Sequence, residues 1–252
     1  MKKTQLAFVF TALHFLMGLT VFSQNSFNKN PQNSFALLEL FTSEGCSSCP
    51  PADELMGKLQ KEYNAENVYI LAYHVDYWDK QGWKDTFSKA EFTKRQYEHA
   101  KFLGKEPIYT PQVIINGKKE FVGSQETSLR NGIKSALLKP ALTSLNLEIN
   151  QTGNALSIKY AVEGTSKSSN LLLAVVQKEA KINVKRGENA NRILSHYQIV
   201  EELVSINLNK VLQGKVAIPV PENFKKQNFE IIGFVQDQNS GAILGVKKGE
   251  FN

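Results

Sequence analysis

The chain has 252 residues, of which 42% are hydrophobic and 21% are charged, and its formal net charge is +6. This composition is typical of a globular protein and excludes a collagen-like or largely disordered chain. The basic residues form no block that would indicate nucleic-acid binding. The two cysteines are too few for a disulfide-rich scaffold or a four-cysteine zinc site.

The N-terminus has the pattern of a secretory signal peptide. Two lysines precede an apolar run from Leu6 to Phe22, and the small residues Val21 and Ser23 stand where a signal peptidase reads. The run is shorter than the roughly 20 apolar residues of a membrane-spanning helix. We therefore expect residues 1–23 to be removed and the protein to be exported to the periplasm or the extracellular space, with an uncleaved membrane anchor as the alternative. Residues 24–34 are predicted to be a flexible leader.

Residues 35–140 combine strand and helix patterns. Short apolar runs predict strands, and apolar residues spaced three and four apart predict helices. Ser88 and Glu91 fit a capping box, and Asn116-Gly117 is a strong hairpin signal. The predicted elements are, in chain order, a strand at Phe35–Phe41, a helix from Pro50, a strand at Val68–Val75, a helix from Ser88 to Leu103, strands at Gln112–Ile115 and Glu120–Val122, and a helix near Leu129–Leu137.

After Pro140 the apolar residues follow the period of a strand instead of that of a helix. Asn191–Leu203 fits either element. The pattern as a whole predicts an all-β, sandwich-like domain at 141–252. Strands are predicted at Leu145–Ile149, Leu156–Val162, Leu171–Val176, Val216–Val220, Glu230–Val235 and Ala242–Val246.

The order of elements before Pro140 resembles the thioredoxin fold. Cys46 and Cys49 form a Cys-x-x-Cys motif between the first strand and the first helix, and Thr110-Pro111 directly precedes the third strand. Thioredoxin-like proteins place a cis-proline there, facing the cysteines. The resemblance implies a fold class of an α/β thioredoxin-like domain at 35–140 followed by the all-β domain.

Longer motifs are similar to those of an uncharacterised bacterial family. They are ELFTSEGCSSCPPAD at 39–53, HVDYWD at 74–79, GWKD at 82–85 and YTPQ at 109–112, with a weaker likeness in RGEN at 186–189 and at Ser195-His196. Members of that family are secreted and carry a thioredoxin-like domain followed by a β-rich domain. The resemblance implies an architecture and a compartment, and it carries no established activity.

The cysteine pair indicates thiol–disulfide chemistry. Cys46 is expected at a helix N-terminus, where the free N–H groups favour a thiolate, so it is predicted to be the attacking sulfur. Cys49, one turn further on, is in reach to resolve a mixed disulfide. A purely structural disulfide remains the alternative.

Several other residues are predicted to serve this chemistry. Glu39, a charge within an apolar strand, matches the buried acid of thioredoxins and is expected to relay a proton to or from Cys49, unless it only pairs with a lysine. Pro111 is expected to shape the substrate contact and Thr110 to bind substrate backbone. Tyr77, Trp78 and Trp83 are candidates for an apolar docking wall, with packing in the core as the alternative.

The leading hypothesis is therefore a thiol–disulfide oxidoreductase of the bacterial envelope that uses no cofactor. Its expected partners are protein or small-molecule thiols and disulfides, with a membrane redox protein as a further candidate. One rival is a soft-metal module that holds copper through Cys46, Cys49 and His74. The other is a non-catalytic, protein-binding adaptor. The direction of electron flow and the oligomeric state are not determined by the sequence.

Overall fold

The computed structural model of the protein describes residues 33–164, 168–209 and 211–251. The predicted signal peptide and nearly all of the predicted leader lie outside the described residues. Within the described ranges, no helix combines the length and the apolar character needed to cross a membrane.

The described residues form three α-helices, twelve strands and one short 3-10 helix at Lys226–Asn228. The helices are α1 (Pro50–Glu62), α2 (Ala90–Leu103) and α3 (Glu126–Ala136). The strands are β1 (Ala36–Thr42), β2 (Val68–His74), β3 (Gln112–Ile115), β4 (Lys119–Val122), β5 (Thr143–Thr152), β6 (Ala155–Gly164), β7 (Ser169–Asn183), β8 (Ile193–Asn207), β9 (Gln213–Pro219), β10 (Phe229–Asp237), β11 (Ile243–Lys248) and β12 (Glu250–Phe251).

The order of elements up to α3 agrees with the sequence pattern, and the ambiguous stretch near residue 200 is a strand, β8. The predicted capping box at the start of α2 is wrong. Lys89 is the residue that precedes the helix, and no side chain caps it. The hydroxyl of Ser88 instead donates to Asp79 Oδ2 at 2.8 Å.

The predicted fold class, a thioredoxin-like α/β domain followed by a separate β-sandwich, is wrong. The protein is mostly β-strand, and strands from both sides of Pro140 form one mixed eight-stranded sheet in the order β11-β10-β7-β8-β2-β1-β3-β4. A second sheet has the order β12-β5-β6-β9. Whether the chain divides into two folding units near Pro140 stays a prediction.

The long strand β8 joins the two halves of the large sheet. It pairs antiparallel with β7 along its length and parallel with β2 at Ala72–Ile199. An uncovered edge of β2 would leave unpaired backbone groups and invite aggregation. The sequence pattern of β2 shows that it is buried, and only the tertiary structure shows which strand lies beside it.

Three apolar clusters fill the spaces between these layers. The alternation of β1 sends Leu38 and Leu40 into a cluster with α1 and α3, and Leu37 and Phe41 into a cluster that also receives residues of β7 and β10. The third cluster lies between β5 and β6 of the small sheet and the other face of β7 and β10. This packing fixes the end of β1, from which the cysteine turn projects.

Candidate functional site

The two cysteines form a disulfide at the start of α1. Cys46 lies in the turn after β1, and Cys49, which has helical dihedral angles, is the residue that precedes the helix. Their Cα atoms are 5.4 Å apart. Both residues are fully buried, whereas Ser47 and Ser48 between them are exposed. The turn thus reaches the surface while its sulfur atoms are covered.

The segment between β7 and β8 holds this turn in place. The buried side-chain amide of Asn189 donates hydrogen bonds to the carbonyl oxygens of Glu44 and Cys46, both at 2.9 Å. The exposed Glu188 accepts a hydrogen bond from the backbone N–H of Ser47 at 3.0 Å, and hydrogen bonds from the side chain and the backbone of Ser47 lower the pKa of Glu188. Residues about 140 positions away therefore fix the conformation of the cysteine turn.

Thr110 and Pro111 lie beside the same turn. The Thr110–Pro111 peptide bond is cis. A Cβ added to Gly123 would lie 3.0 Å from the Cβ atoms of both Ala52, in the first turn of α1, and Pro111. The indole of Trp78 donates to the hydroxyl of Thr110 at 2.8 Å, and its Cβ lies against Gly45, next to Cys46. Trp78 therefore connects the cysteine turn to the proline segment.

The other two aromatic candidates have different surroundings. Trp83 is half-buried, and its indole donates to Glu44 Oε2 at 2.5 Å. The half-buried Tyr77 donates through its hydroxyl to Gln96 at 3.3 Å, and burial raises the pKa of Tyr77 to about 12. Trp83 thus belongs to the polar network beneath the turn, and Tyr77 packs toward α2.

An ion pair between His74 and Asp85 lies in that network. His74 Nδ1 and Asp85 Oδ2 are 2.7 Å apart, and both side chains are buried. Burial alone would lower the pKa of His74, but the charge and hydrogen bond of Asp85 raise it to about 9. Burial would likewise raise the pKa of Asp85, but His74 and backbone N–H groups lower it to about 2. The same Asp85 oxygen accepts the N–H of Glu44 at 2.7 Å, so the pair is attached to the cysteine turn.

Asp53 and His196 continue the network toward α1. Asp53 lies four residues after Cys49 on the helix, so the two side chains share one helix face. Its Oδ2 accepts from the hydroxyl of Thr42 at 3.1 Å and lies 3.8 Å from Nδ1 of His196, beyond hydrogen-bond distance. Neither ring nitrogen of His196 has a hydrogen-bond partner among the described residues, and the ring centroid is 4.8 Å from that of His74. Buried polar groups without partners are costly, so this cluster is a candidate for chemistry.

Glu39 lies on the other face of β1. Leu38, Leu40 and Thr42 point toward α1, whereas Glu39 meets Arg95 and His99 of α2, at 2.6 Å from Arg95 Nε and 3.1 Å from His99 Nε2. Burial alone would raise the pKa of Glu39, but Arg95 and His99 lower it to about 2. This geometry does not favour the predicted proton relay, because Glu39 stays ionised and its partners lie away from the cysteine helix.

Three buried side chains could together hold a metal ion. One potential ligand atom each from Glu44, His74 and Asp85 lies within 4.8 Å of the other two. The set predicted from the sequence was Cys46, Cys49 and His74, and it stays a prediction. In the structure the two sulfur atoms are bonded to each other and His74 Nδ1 contacts Asp85. A soft ion at the predicted set would require a reduced pair of cysteines.

The structure thus brings together Cys46, Cys49, Thr110, Pro111 and Trp78 from the predicted residues, and it places Glu39 elsewhere. Sequence reasoning assigned no role to Asp53, Asp85, Glu188, Asn189 or His196. The available signal was their position inside the motifs at 39–53, 82–85, 186–189 and 195–196. Their convergence depends on the placement of β8, which the sequence pattern does not give.

Most of the chain matches a known protein family. The family described as "Protein of unknown function (DUF1223)" matches residues 37–236, which include both cysteines and the segment that holds them. No curated protein matches the chain.

A solved structure is similar to this protein over most of the chain. It is a protein from Agrobacterium tumefaciens, 27% identical, with a TM-score of 0.65 over 86% of this chain and 95% of that one. A DUF3823 family protein from Bacteroides ovatus is 11% identical and has a TM-score of 0.29, over 43% of this chain and 55% of that one. A domain of the outer membrane lipoprotein Omp28 from Porphyromonas gingivalis is 13% identical and has a TM-score of 0.26, over 44% and 89%. The last two likenesses are too low to carry an argument.

Proposed function

The chain belongs to the DUF1223 family, whose function is unknown, and from the chemistry of its cysteine turn we propose that it is a thiol–disulfide oxidoreductase of the bacterial cell envelope. The observation that carries the proposal is a Cys-x-x-Cys disulfide at the start of a helix, beside the Thr110-Pro111 segment. A disulfide is consistent with an exported protein. The cysteine turn and its chemistry resemble those of thioredoxin-like proteins, whereas the overall fold differs from theirs.

In the proposed reaction a substrate thiolate attacks Sγ of Cys46. The bond between Cys46 and Cys49 breaks, its electron pair stays on Cys49, and a mixed disulfide forms between Cys46 and the substrate. A second substrate thiolate then displaces Cys46, which leaves the substrate oxidised and both cysteines reduced. The reverse sequence reduces a substrate disulfide, and the site supports either direction.

Cys49 gains or loses a proton in this cycle, and Asp53 is the carboxylate placed to exchange it. Asp53 shares a helix face with Cys49, is 2% exposed, and its Oδ1 has no hydrogen-bond partner among the described residues. His196 and the His74–Asp85 pair lie beyond Asp53, on the side away from the helix, and could carry the proton further. We assign Asp53 the proton-transfer role that the sequence had suggested for Glu39.

The substrate chain is proposed to dock against Thr110, Pro111 and Trp78. These residues border the turn, and Pro111 has no N–H, so the backbone at Thr110 is the part that can pair with an extended chain. Cys46 is fully buried, so a substrate thiolate can reach its sulfur only after the turn moves. Glu188 and Asn189 hold the turn through the N–H of Ser47 and the carbonyl of Cys46, so these are the hydrogen bonds that would have to break. The proposed substrates are protein thiols and small-molecule thiols, because either can supply the attacking thiolate.

The experiment that tests the function measures both directions of electron flow. Wild-type protein should accelerate reduction of insulin by dithiothreitol, or oxidation of a reduced, unfolded protein, while Cys46→Ala and Cys49→Ala fall to the rate of buffer. The reduction potential of the pair, measured against glutathione, then gives the preferred direction. A wild-type rate equal to that of the cysteine variants in both assays would exclude the enzyme and leave the adaptor. Stoichiometric copper in the reduced protein, lost in His74→Ala, would favour the metal module.

The role of Asp53 is tested on reduced protein with Ellman's reagent. Cys46 should attack the reagent, form a mixed disulfide with it and release a first equivalent of chromophore. Cys49 should then attack the sulfur of Cys46 and release a second equivalent. Asp53→Asn should slow the second phase by about 100-fold near neutral pH and leave the first within about twofold, since general acid–base groups contribute factors of this size. Glu54→Gln removes the neighbouring exposed carboxylate and is the matched control. If the rate of the second phase were unchanged in Asp53→Asn, Asp53 would have no part in the mechanism, and the assignment of the cysteines would still hold.

A further inference from the structure

An apolar pocket lies at the end of β1 that is remote from the cysteines. It has a volume of about 370 Å³ and is bordered by the residue before β1, the turn between β3 and β4, the end of α3 with the segment after it, and the start of β11. Phe35 lines the pocket and precedes β1, whereas the cysteine turn follows the last residue of that strand. A seven-residue strand is about 20 Å long, so the pocket is separate from the candidate site.

The pocket exists because α3 ends in small side chains. Gly132, Ser135 and Ala136, which are spaced three and four residues apart, share the face of α3 that borders the pocket. The other walls are aliphatic or aromatic, and they are formed by Phe35, Ile115, Pro140, Leu142, Ile243 and Leu244. Leu142 is 65% exposed, so this apolar lining continues to the surface. A lining of this kind is typical of a site for a small molecule with an apolar body.

Hydrogen bonds hold the walls of the pocket in place. The backbone N–H of Leu142 donates to the carbonyl of Leu244 at 2.8 Å, and the backbone N–H of Ile243 donates to the carbonyl of Asn116 at 3.1 Å. The side-chain amide of Asn116 donates to the carbonyl of Phe35 at 3.2 Å. Four separate parts of the chain are therefore fixed around the pocket, and a ligand would find it already formed, as is usual for small-molecule sites.

The charged side chains around the pocket are all basic. They are those of Lys118, Lys119 and Lys139, which are exposed, and no acidic side chain of the described residues lines the pocket. Lys118 donates to the carbonyl of Ser240 at 3.2 Å. Lys119 and Lys139 have neither an ion pair nor a side-chain hydrogen bond within the part of the chain that the structure describes. Two unpaired cations beside an apolar pocket complement a ligand that joins an apolar body to an anionic group.

The volume of the pocket limits the size of this ligand. At about 30 Å³ for each water molecule of the liquid, the pocket has room for roughly twelve non-hydrogen atoms. Decanoate, a straight-chain carboxylate, is of this size, whereas a phospholipid with two acyl chains is much larger. The predicted leader, residues 24–32, carries Lys29 and no acidic residue, so its charge does not complement the lysines of the pocket.

We infer that this pocket binds a free medium-chain fatty acid, with the alkyl chain among the apolar side chains of α3 and β11 and the carboxylate paired with Lys119 and Lys139. The inference does not depend on the proposed redox function, because neither cysteine borders the pocket.

The probe is sodium decanoate, titrated into the protein below its micelle concentration and followed by isothermal titration calorimetry. Decyltrimethylammonium has an alkyl chain of the same length and the opposite charge, so it is the matched control ligand. We expect one decanoate to bind per chain and to raise the melting temperature, and the cation to bind at least tenfold more weakly. Equal binding of the two ions, no binding of decanoate at millimolar concentration, or binding to vesicles of anionic phospholipid alone would overturn the inference.

Substitutions test the lysines and the apolar pocket separately. Lys119→Gln and Lys139→Gln should each weaken the binding of decanoate about threefold, and the double variant about tenfold, since an exposed ion pair changes an equilibrium constant by factors of this size. Lys134→Gln removes an exposed lysine of α3 outside the pocket and should bind like the wild type. Ser135→Leu should fill the pocket and abolish binding, with the retained fold checked by circular dichroism.

Cys46→Ala should bind decanoate like the wild type, so this result is separate from the outcome of the redox assays. Unchanged affinity in the double lysine variant, or in a folded Ser135→Leu protein, would contradict a fatty-acid site.

Discussion

Glu39 is a buried carboxylate that contacts two basic side chains. Its oxygens contact Arg95 and His99, and the three side chains are at most 5% exposed. The guanidinium of Arg95 also lies over the rings of Tyr73 and Phe234, 5.5 and 5.3 Å from their centroids. The pair thus joins β1, α2 and β10, and we assign Glu39 a structural part in the fold.

The pH dependence of stability follows from this ion pair. The pKa of Glu39 is about 2 in the folded protein against an ordinary value of 4.5. Because the folded pKa is the lower one, the stabilisation is complete above pH 4.5 and is lost as the pH falls toward 2. Glu39 should contribute on the order of 3 kcal/mol to the fall in the free energy of urea unfolding of the wild type across this window, in addition to the contribution of Asp85, whose pKa is also lowered. Glu39→Gln should be less stable near neutral pH and show a flatter profile, and an equally steep decline in the variant would contradict the assignment.

Among the elements, a glycine of β10 lies where the two sheets pack closely together. A Cβ added to Gly233 would lie 2.8 Å from Cδ1 of Leu147 and 3.1 Å from Cδ2 of Leu145, both on β5 of the small sheet. Two packed sheets interdigitate their side chains, and here the absence of a side chain on β10 leaves room for two leucines. The close packing of the two sheets at this point therefore requires a glycine on β10.

Gly233→Ala should destabilise the protein by about 1 to 3 kcal/mol through overpacking. This outweighs the gain of about 0.5 to 1 kcal/mol that alanine has over glycine in a strand. In a Leu147→Ala background the cavity accepts the new methyl group, so the same substitution should become neutral or stabilising. A double-mutant cycle by urea unfolding measures the coupling. Equal effects of Gly233→Ala in both backgrounds would contradict the close contact.

At the scale of the whole molecule, one apolar cluster takes residues from both sides of Pro140. Phe41 and Tyr73 of the first half pack in it with Leu172 and Phe234 of the second. Removing the second half would expose this face and the edge of β2. We expect the two halves to unfold together.

Differential scanning calorimetry tests this expectation. The wild type should show a single transition with equal calorimetric and van't Hoff enthalpies, as cooperative unfolding requires. A fragment of residues 33–140 should show no cooperative transition, because β8 and its share of the core are missing. Two resolved transitions, or a fragment that unfolds cooperatively, would instead support two independent folding units with a boundary near Pro140.

The sequence by itself determined the local features of this protein. Apolar period, the prolines after Cys49 and the Asn116-Gly117 turn are local signals, so the order of elements up to α3 and the cysteine turn could be predicted, and Thr110-Pro111 was expected beside it. Only the tertiary structure decided which strands are neighbours. Asn189 holds the carbonyl of Glu44 across 145 residues, and His196 meets Asp53 because β8 lies against β2. Pairing between distant strands depends on which edges remain free after local structure has formed, and no single segment carries that information. For the same reason the sequence did not show that Arg95 and His99 are the partners of Glu39, and the polar cluster beneath the cysteines was not predicted.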